Sequence, residues 1–179
     1  MTKRFIRAFE TGQIRLRLLE SKDLPTTLAW RNQDRVRMNL ITSRTLTLEE
    51  HGSWFGSYAS KDDDFVFLFS ERQERSRPVG QVSLYCIDWS RKTAEFGRLM
   101  IGEERALHKG LATAAARAIV NLAFRRFRLE KLSLEVYESN KAAIAIYQKI
   151  GFGTSSVTGG LVRMALQADP YFRSTRSTP

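Results

Sequence analysis

The sequence has one cysteine, two histidines and four prolines among its 179 residues. A single cysteine, Cys86, cannot form a disulfide within the chain, so we expect a reducing, cytoplasmic location. Two histidines show no metal-ligand spacing, and we therefore expect no metal site. No segment approaches the roughly 20 apolar residues of a membrane span, and residues 1–10 lack the continuous apolar stretch of an export signal.

Positive charge, in contrast, is abundant. Lysine and arginine total 29 against 19 acidic residues, a formal net charge of +10. A basic surface attracts phosphates of any kind, whether on nucleic acid, anionic lipid, a coenzyme or a nucleotide sugar. Because the basic residues are scattered and no usual nucleic-acid-binding pattern appears, nucleic acid is not the expected partner.

Length and composition are those of one globular domain. We expect a tail at residues 1–12, a domain at 13–168 and a second tail at 169–179. Patterns of apolar alternation, helical periodicity and capping predict strands at 14–19, 65–70, 79–87, 93–101 and 132–137, helices at 21–32, 48–58, 110–126 and 140–150, and a closing hairpin at 157–166. This order predicts an α+β fold with a largely antiparallel sheet.

One junction between a strand and a helix is suited to binding phosphate. Residues 99–107 lead through His108, Lys109 and Gly110 into the alanine-rich helix. A helix N-terminus offers unpaired N–H groups and a positive dipole end, and a glycine lets a ligand approach the backbone closely. This loop could hold a pyrophosphate such as that of coenzyme A, although plain helix capping is the competing interpretation.

A second motif follows the strand at 132–137. Asn140, Ala143, Tyr147, Gly151 and Phe152 form the pattern Asn-x-x-Ala-x-x-x-Tyr-x-x-x-Gly-Phe. Here the chain resembles the GNAT superfamily of N-acetyltransferases, and the resemblance spans residues 14–166.

The superfamily's pyrophosphate loop, Gln/Arg-x-x-Gly-x-Gly/Ala, is matched less completely. Gly110 and Ala112 fit it, but Leu107 stands at the Gln/Arg position, and Arg105 is the residue that could compensate.

The resemblance implies the GNAT fold, with about six to seven mostly antiparallel strands flanked by about four helices, and acetyl-CoA-dependent acetylation of a primary amine. It also implies cofactor binding by Leu99, Met100, Ile101, His108, Lys109, Gly110, Leu111, Ala112, Thr113, Asn140, Ala143 and Tyr147.

The reaction needs a base and an acid. An alkylammonium has a pKa of about 10.4, so presenting it as the neutral nucleophile at neutral pH costs about 4 kcal/mol. Glu95 is the predicted base, with Glu135 in reserve, provided that the strand turns it toward the substrate. Tyr147 is the predicted acid for the leaving thiolate, with core packing as the alternative. Because no base adjoins Cys86, we expect it to be a buried strand residue and the transfer to be direct, in a ternary complex.

Two N-terminal helices are expected to select the amine. Their pairing of Trp-Arg-Asn-x-x-x-Val-Arg with Glu-Glu-His-x-x-Trp looks like the GNAT branch that acetylates UDP-linked 4-amino sugars, as in pseudaminic acid biosynthesis. The predicted substrate-binding residues are Trp30, Arg31, Arg35, Arg37, His51 and Trp54. Arginines could bind a diphosphate and tryptophans could stack on a base or sugar, or both could be structural.

Other acceptors stay open. A ribosomal-protein N-terminal acetyltransferase has the same architecture, and aminoglycosides come next. Polyamines fit poorly, because a polycation prefers an acidic cleft. A non-catalytic member that binds coenzyme A or nucleic acid is the alternative from another class.

Edge strands could pair between two copies, so a homodimer is also open.

Overall fold

Alternating apolar segments and one alanine-rich helix build a single eight-stranded sheet with helices on both faces. The computed structural model describes residues 4–176. Its strands are β1 Phe9–Thr11, β2 Ile14–Leu18, β3 Phe65–Glu71, β4 Gly80–Asp88, β5 Thr93–Ile101, β6 Lys131–Tyr137, β7 Gly153–Thr158 and β8 Leu161–Gln167. The α-helices in this range are α1 Leu24–Asn32, α2 Asp34–Arg37, α3 Leu48–Ser60, α4 Leu111–Asn121, α5 Lys141–Ile150 and α6 Ala168–Arg176, and short 3-10 helices cover Ser21–Asp23 and Glu104–Ala106.

The strand order is β1-β2-β3-β4-β5-β6-β8-β7. All neighbouring pairs are antiparallel except β5 and β6, which run parallel. A parallel pair needs a crossover, and α4 supplies it. The predicted α+β, mostly antiparallel fold is therefore confirmed, with more strands and helices than expected.

Burial along β3 shows why the sheet needs cover on both faces. Phe65, Phe67 and Phe69 pack into the larger core with α4 and α5. Val66 and Leu68 point the other way, into a smaller core that includes residues of α1 and α3. A strand buried on both faces reads as a continuous apolar run, as this one does.

Several predicted boundaries hold and others shift. β5 has the predicted bounds, and the capping box of α3 is present, with Thr47 and Glu50 bonded reciprocally. The predicted helix over 110–126 is not regular throughout, because α4 ends at Asn121 and a π-helical turn covers Leu122–Arg126. β1 lies within the segment predicted as the N-terminal tail, and α6 lies in the predicted C-terminal tail except for its first residue, Ala168. The domain limits stay a prediction.

Cys86 departs from expectation. It is exposed and not buried, and its φ is +50°. The reason is a β-bulge, since the pairing of β4 with β5 shifts register between Tyr85 and Asp88. A bulge breaks the alternation of side chains between the two faces of a strand.

None of the helices that the structure describes is both long and apolar enough to cross a bilayer. β7 is exposed along its whole length at one edge of the sheet. The homodimer predicted from such edges stays a prediction.

Candidate active site

The sheet splits where its two parallel strands part. β5 and β6 are paired only from Thr93–Lys131 to Glu95–Ser133, although both strands continue beyond. A cleft of about 780 Å³ opens along this gap. Its walls come from the far half of β5, the last part of β6, two residues of β4, the loop before α4, the starts of α4 and α5, and the segment from α1 to α3.

The start of α4 forms one end of the cleft. Gly110 is the N-cap with φ +74°, and, lacking a side chain, it cannot cap the first turn. The first N–H groups of a helix have no partner within the helix, so those of Leu111, Ala112 and Thr113 can bind an anion. All three residues line the cleft. This is where the sequence predicts the pyrophosphate.

The loop before α4 is fixed from below. Gln13 Nε2 donates to the carbonyl of Lys109 over 3.2 Å, and the Lys109 ammonium pairs with Glu71 at 3.1 Å. Arg105, the residue expected to compensate for Leu107, instead pairs with Glu74 at 2.9 Å and is not among the cleft residues. Leu107 itself lines the cleft and offers no side-chain donor there. His108 also lines the cleft, so the loop offers this one imidazole together with its backbone N–H groups.

The far half of β5 has no neighbouring strand on its β6 side, although the carbonyl of Ile101 already accepts a hydrogen bond from Arg35. Met100 and Ile101 pair with β4 on one side, while β6 has already departed on the other. Leu99, Met100 and Ile101 all line the cleft. An extended ligand can add to such an edge as a neighbouring strand would.

α5 contributes the other predicted cofactor residues. The Asn140 side chain accepts a hydrogen bond from the N–H of Ala143 over 3.1 Å and so caps the helix. Tyr147 is 6% exposed, lines the cleft and packs edge to face on Phe96. Burial raises the pKa of Tyr147 to about 12. At neutral pH the phenol is therefore a hydrogen-bond donor.

The two candidate bases lie differently. Glu95 is exposed on β5, opposite Tyr85 of β4, and is not among the residues that line the cleft. Glu135 lines the cleft on the β6 side, but its carboxylate pairs with Arg163 at 2.7 Å. Neither carboxylate projects unpaired into the cleft, so a proton from the amine needs a route to one of them.

Trp30 does not belong to the cleft. Its indole is buried against Gly102, where an added Cβ would meet the ring at 2.0 Å. Its Nε1 donates to Glu103 over 2.7 Å. Packing explains this tryptophan fully, which corrects the expectation that it stacks on a substrate.

The three arginines expected to bind a diphosphate are occupied by the chain itself. Arg31 donates to the carbonyls of Thr42 and Arg44, and Arg35 donates to those at the end of β5. Arg37 donates to Asp34 and Ser43 and is not among the cleft residues. Arg31 and Arg35 do line the cleft, so each one holds backbone carbonyls in place and also adds positive charge to the wall of the cleft.

His51 and Trp54 do meet at the cleft. Their rings stack with centroids 5.1 Å apart, and both line the cavity. His51 Nε2 lies 2.9 Å from the hydroxyl of Thr27. Burial and then the charge of Arg31 lower the pKa of His51, so its imidazole is neutral at neutral pH.

Sequence reasoning missed two residues that the cleft exposes, Tyr85 and Arg98. Arg98 has φ +49°, and both its terminal nitrogens bond Asp64, at 2.8 and 3.1 Å. Its guanidinium lies 4.3 Å from the centre of the Tyr85 ring. β-bulges in β4 and β5 set the direction of these two side chains. The alternation of apolar and polar residues in the sequence does not reveal where the bulges lie.

The charge of the cleft is one-sided. Among the described residues that line it, Glu135 is the one acidic side chain, and it is already paired. Cations from Arg31, Arg35 and Arg98 share the same walls. The acceptor half is therefore not an acidic site.

The parted strands, the uncapped helix start and the buried phenol together form a cleft suited to a long ligand that carries phosphate at one end. Residues 13–153 match the family model described as an acetyltransferase (GNAT) domain. The chain belongs to this family and is an N-acetyltransferase that uses acetyl-CoA.

Individual relatives are more distant. The chain is 24% identical over 147 residues to the N-acetyltransferase 9-like protein of Caenorhabditis briggsae, a match covering 77% of this chain and 73% of that one. It is 40% identical over 84 residues to spermidine N(1)-acetyltransferase of Escherichia coli K12, covering 47% of this chain and 42% of that enzyme.

The fold is similar to the crystal structure of spermidine N-acetyltransferase from Vibrio cholerae in complex with CoA and spermine. The TM-score is 0.80 at 21% identity, covering 89% of this chain and 98% of that chain. At this identity the likeness establishes a shared fold. The expected resemblance to the branch acting on UDP-linked amino sugars is not supported by these relatives.

Proposed function

We propose that the cleft between β5 and β6 holds acetyl-CoA and that the chain acetylates the primary amine of a small molecule there. When bound, acetyl-CoA supplies a thioester carbon that an amine can attack directly. The observation that carries the proposal is the separation of β5 from β6 beyond Glu95, with the N-terminus of α4 at one end of the opening.

The backbone does most of the cofactor binding in this proposal. The N–H groups of Leu111, Ala112 and Thr113 hold the pyrophosphate, as their position in the first turn of α4 favours. The edge of β5 from Leu99 to Ile101 holds the pantetheine arm, and one of its N–H groups polarises the acetyl carbonyl. Asn140 acts indirectly, by capping the helix that carries Tyr147.

Tyr147 donates to the sulfur as the thiolate leaves. A cysteine-like thiol has a pKa of about 8.5, well below the value of about 12 to which burial raises the pKa of Tyr147. Complete proton transfer from this phenol is therefore unfavourable. A hydrogen bond to the developing negative charge is the role that fits.

The acceptor is proposed to be a primary amine that carries neutral or anionic groups and is not a polycation. Placing spermidine in the cleft would bring several positive charges near Arg31 and Arg35. The other charges on the walls are already paired, Arg98 with Asp64 and Glu135 with Arg163. At 4 Å, two unit charges repel by about 4 kcal/mol near a protein surface. An amino sugar linked to a nucleotide, the acceptor predicted from sequence, is one member of the proposed class.

A polyamine is the second candidate. It is favoured by the 40% identity over 84 residues to the spermidine enzyme of Escherichia coli and by the shared fold with the Vibrio cholerae enzyme. Against it stands the charge of the cleft described above. The two candidates differ in the sign of their interaction with Arg31, which makes them separable.

The test is thiol release from acetyl-CoA with spermidine, UDP-linked amino sugars, N-terminal peptides and aminoglycosides as acceptors. In Arg31→Ala, the KM of an anionic amine should rise, because an attractive charge is lost, while the KM of spermidine should fall. Arg37→Ala is the matched control, since Arg37 supports the same loop without lining the cleft. Efficient acetylation of spermidine by the wild-type chain would decide for the second candidate.

A further inference from the structure

Tyr85 occupies the position between the cleft and the carboxylate of Glu95. The two residues are directly opposite in the antiparallel pair of β4 and β5, so their side chains share one face of the sheet. Tyr85 lines the cleft, whereas Glu95 lies outside it and is exposed. The phenol is therefore the group through which Glu95 can reach a substrate.

A missing side chain makes room for the phenol. A Cβ added to Gly97 would meet Tyr85 Oη at 3.0 Å and Cε1 at 3.2 Å. The ring thus lies across Gly97, toward the half of β5 that borders the cleft.

Arg98 packs on the face of the Tyr85 ring and restricts its position. Its guanidinium lies 4.3 Å from the ring centre of Tyr85 and is itself held by both oxygens of Asp64. Asp64 is 7% exposed, whereas the side chain of Arg98 is 30% exposed, so the carboxylate is shielded from water and the guanidinium only partly. A bidentate pair restricts the guanidinium to one orientation, and the ring beneath it is restricted in turn.

The electrostatic surroundings keep the phenol protonated. Burial raises the pKa of Tyr85, and the negative charge of Glu95 beside it raises the pKa further. The charge of Arg98 acts in the opposite direction, and Cys86 adds a smaller contribution. Tyr85 therefore holds its proton at neutral pH, with the Glu95 carboxylate as its cross-strand neighbour.

We propose that Tyr85 relays a proton from the bound ammonium of the acceptor to Glu95. The ammonium N–H gives its proton to Tyr85 Oη while the phenolic proton passes to a carboxylate oxygen of Glu95. The products are a neutral amine, an unchanged phenol and a neutral carboxylic acid, which returns the proton to water because Glu95 is exposed.

This inference rests on the proposed function and adds a residue to it. Tyr85 is a catalytic residue in the proposal, because it touches the amine. Glu95 acts through Tyr85. Glu135, on the opposite wall of the cleft, is the competing base, and its pair with Arg163 would have to break for it to serve.

The test is the pH profile of kcat/KM for wild type, Tyr85→Phe, Glu95→Gln and the double variant. At pH 7 each single variant should lose about 100-fold, the lower end for general acid–base catalysis. The double variant should lose no more than either single one, because the two groups act as a unit. The loss should shrink toward pH 10, where the free amine deprotonates without help.

Tyr137→Phe on β6 is the matched control and should keep the wild-type profile. Thermal unfolding and acetyl-CoA affinity of all variants should stay close to wild type, since the Tyr85→Phe variant keeps an aromatic ring over Gly97. A normal profile for Tyr85→Phe, or a comparable loss in Glu135→Gln alone, would overturn the relay. Absence of acetyl transfer by the wild-type chain at any pH would instead contradict the proposed function.

Discussion

The ring of Tyr147 meets Phe96 edge to face, with centroids 5.8 Å apart, and so ties α5 to β5 at the point where the strands part. Because this contact is made by the ring, Tyr147→Phe should leave the fold intact and remove only the hydroxyl. We expect kcat to fall about 100-fold, or about 2.7 kcal/mol, because the departing thiolate loses a hydrogen bond, and a hydrogen bond to a charged group contributes up to about 3 kcal/mol. The Kd for acetyl-CoA, measured by calorimetry, should stay within about twofold, a difference of about 0.4 kcal/mol.

Tyr171→Phe is a suitable comparison for this prediction, because Tyr171 is also a buried phenol that packs against aromatic rings. Its kcat should match wild type. If Tyr147→Phe also keeps its kcat, the phenol belongs to the core alone.

Gly110 tests the anion site at α4. Its φ of +74° is costly for any residue with a Cβ, although an added Cβ would have room, with Gln13 Nε2 nearest at 3.9 Å. We expect Gly110→Ala to lower the free energy of unfolding by about 1–2 kcal/mol. The Kd for acetyl-CoA should rise about tenfold, equivalent to about 1.4 kcal/mol, because the methyl group crowds the pyrophosphate.

Gly159, in the turn between β7 and β8, offers a matched control for the backbone cost. Its φ is +59°, and an added Cβ would contact nothing within 4 Å. Gly159→Ala should lose similar stability and keep wild-type affinity for acetyl-CoA. Equal affinity losses in both variants would assign the effect at Gly110 to global destabilisation.

Substitutions at Trp30 and Trp54 should have different effects, on stability at the buried Trp30 and on acceptor binding at Trp54, which lines the cleft. Trp30→Phe should lower the free energy of unfolding by about 1–3 kcal/mol, because the variant loses packing on Gly102 and leaves the Glu103 carboxylate without its hydrogen bond from the indole. The acceptor KM should not change. In Trp54→Leu the KM should rise by up to about tenfold, since a stacked aromatic pair contributes up to about 1.5 kcal/mol. Steady-state kinetics and urea unfolding measure both effects, and the reverse assignment would contradict the placement of the cleft.

Glu50 links stability to acid pH. Its hydrogen bond from Arg44, and then those within the capping box, lower its pKa to about 2 from an ordinary value of 4.5. A lowered carboxyl pKa stabilises the fold above the ordinary value, and this stability is lost as the pH falls toward 2. The difference in Tm between wild type and Glu50→Gln should therefore be present at pH 6 and close between pH 4.5 and 2. A difference that is independent of pH would contradict the assignment, and Glu49→Gln controls for charge removal in the same turn.

The elements that were predicted correctly are those whose bounds depend on residues close together in the sequence. The bounds of β5 and the capping box of Thr47 follow from residues adjacent in sequence. Gly151, with φ +111°, closes α5 as its position after the helical pattern predicts. The π-helical turn after Asn121 was missed, because its apolar spacing resembles that of a continuing helix.

The parts of the site that could not be predicted from the sequence depend on contacts between residues far apart in the chain. Trp30 was assigned to the substrate because its partner Glu103 lies 73 residues further along the chain. Tyr85 and Arg98 were missed because bulges in β4 and β5 break the alternation on which strand faces are predicted. Glu95 was placed on the right strand, but its position behind Tyr85 depends on the pairing of two strands.

Acetyl transfer to an amine in the cleft is tested most directly by thiol release from acetyl-CoA, measured for the wild-type chain and for Tyr147→Phe with a panel of primary amines. We expect amine-dependent release with at least one acceptor that is not a polycation, acetylated on nitrogen by mass spectrometry, and about 100-fold slower release by the variant. Release that is independent of amine, or equal in both proteins, would contradict this expectation.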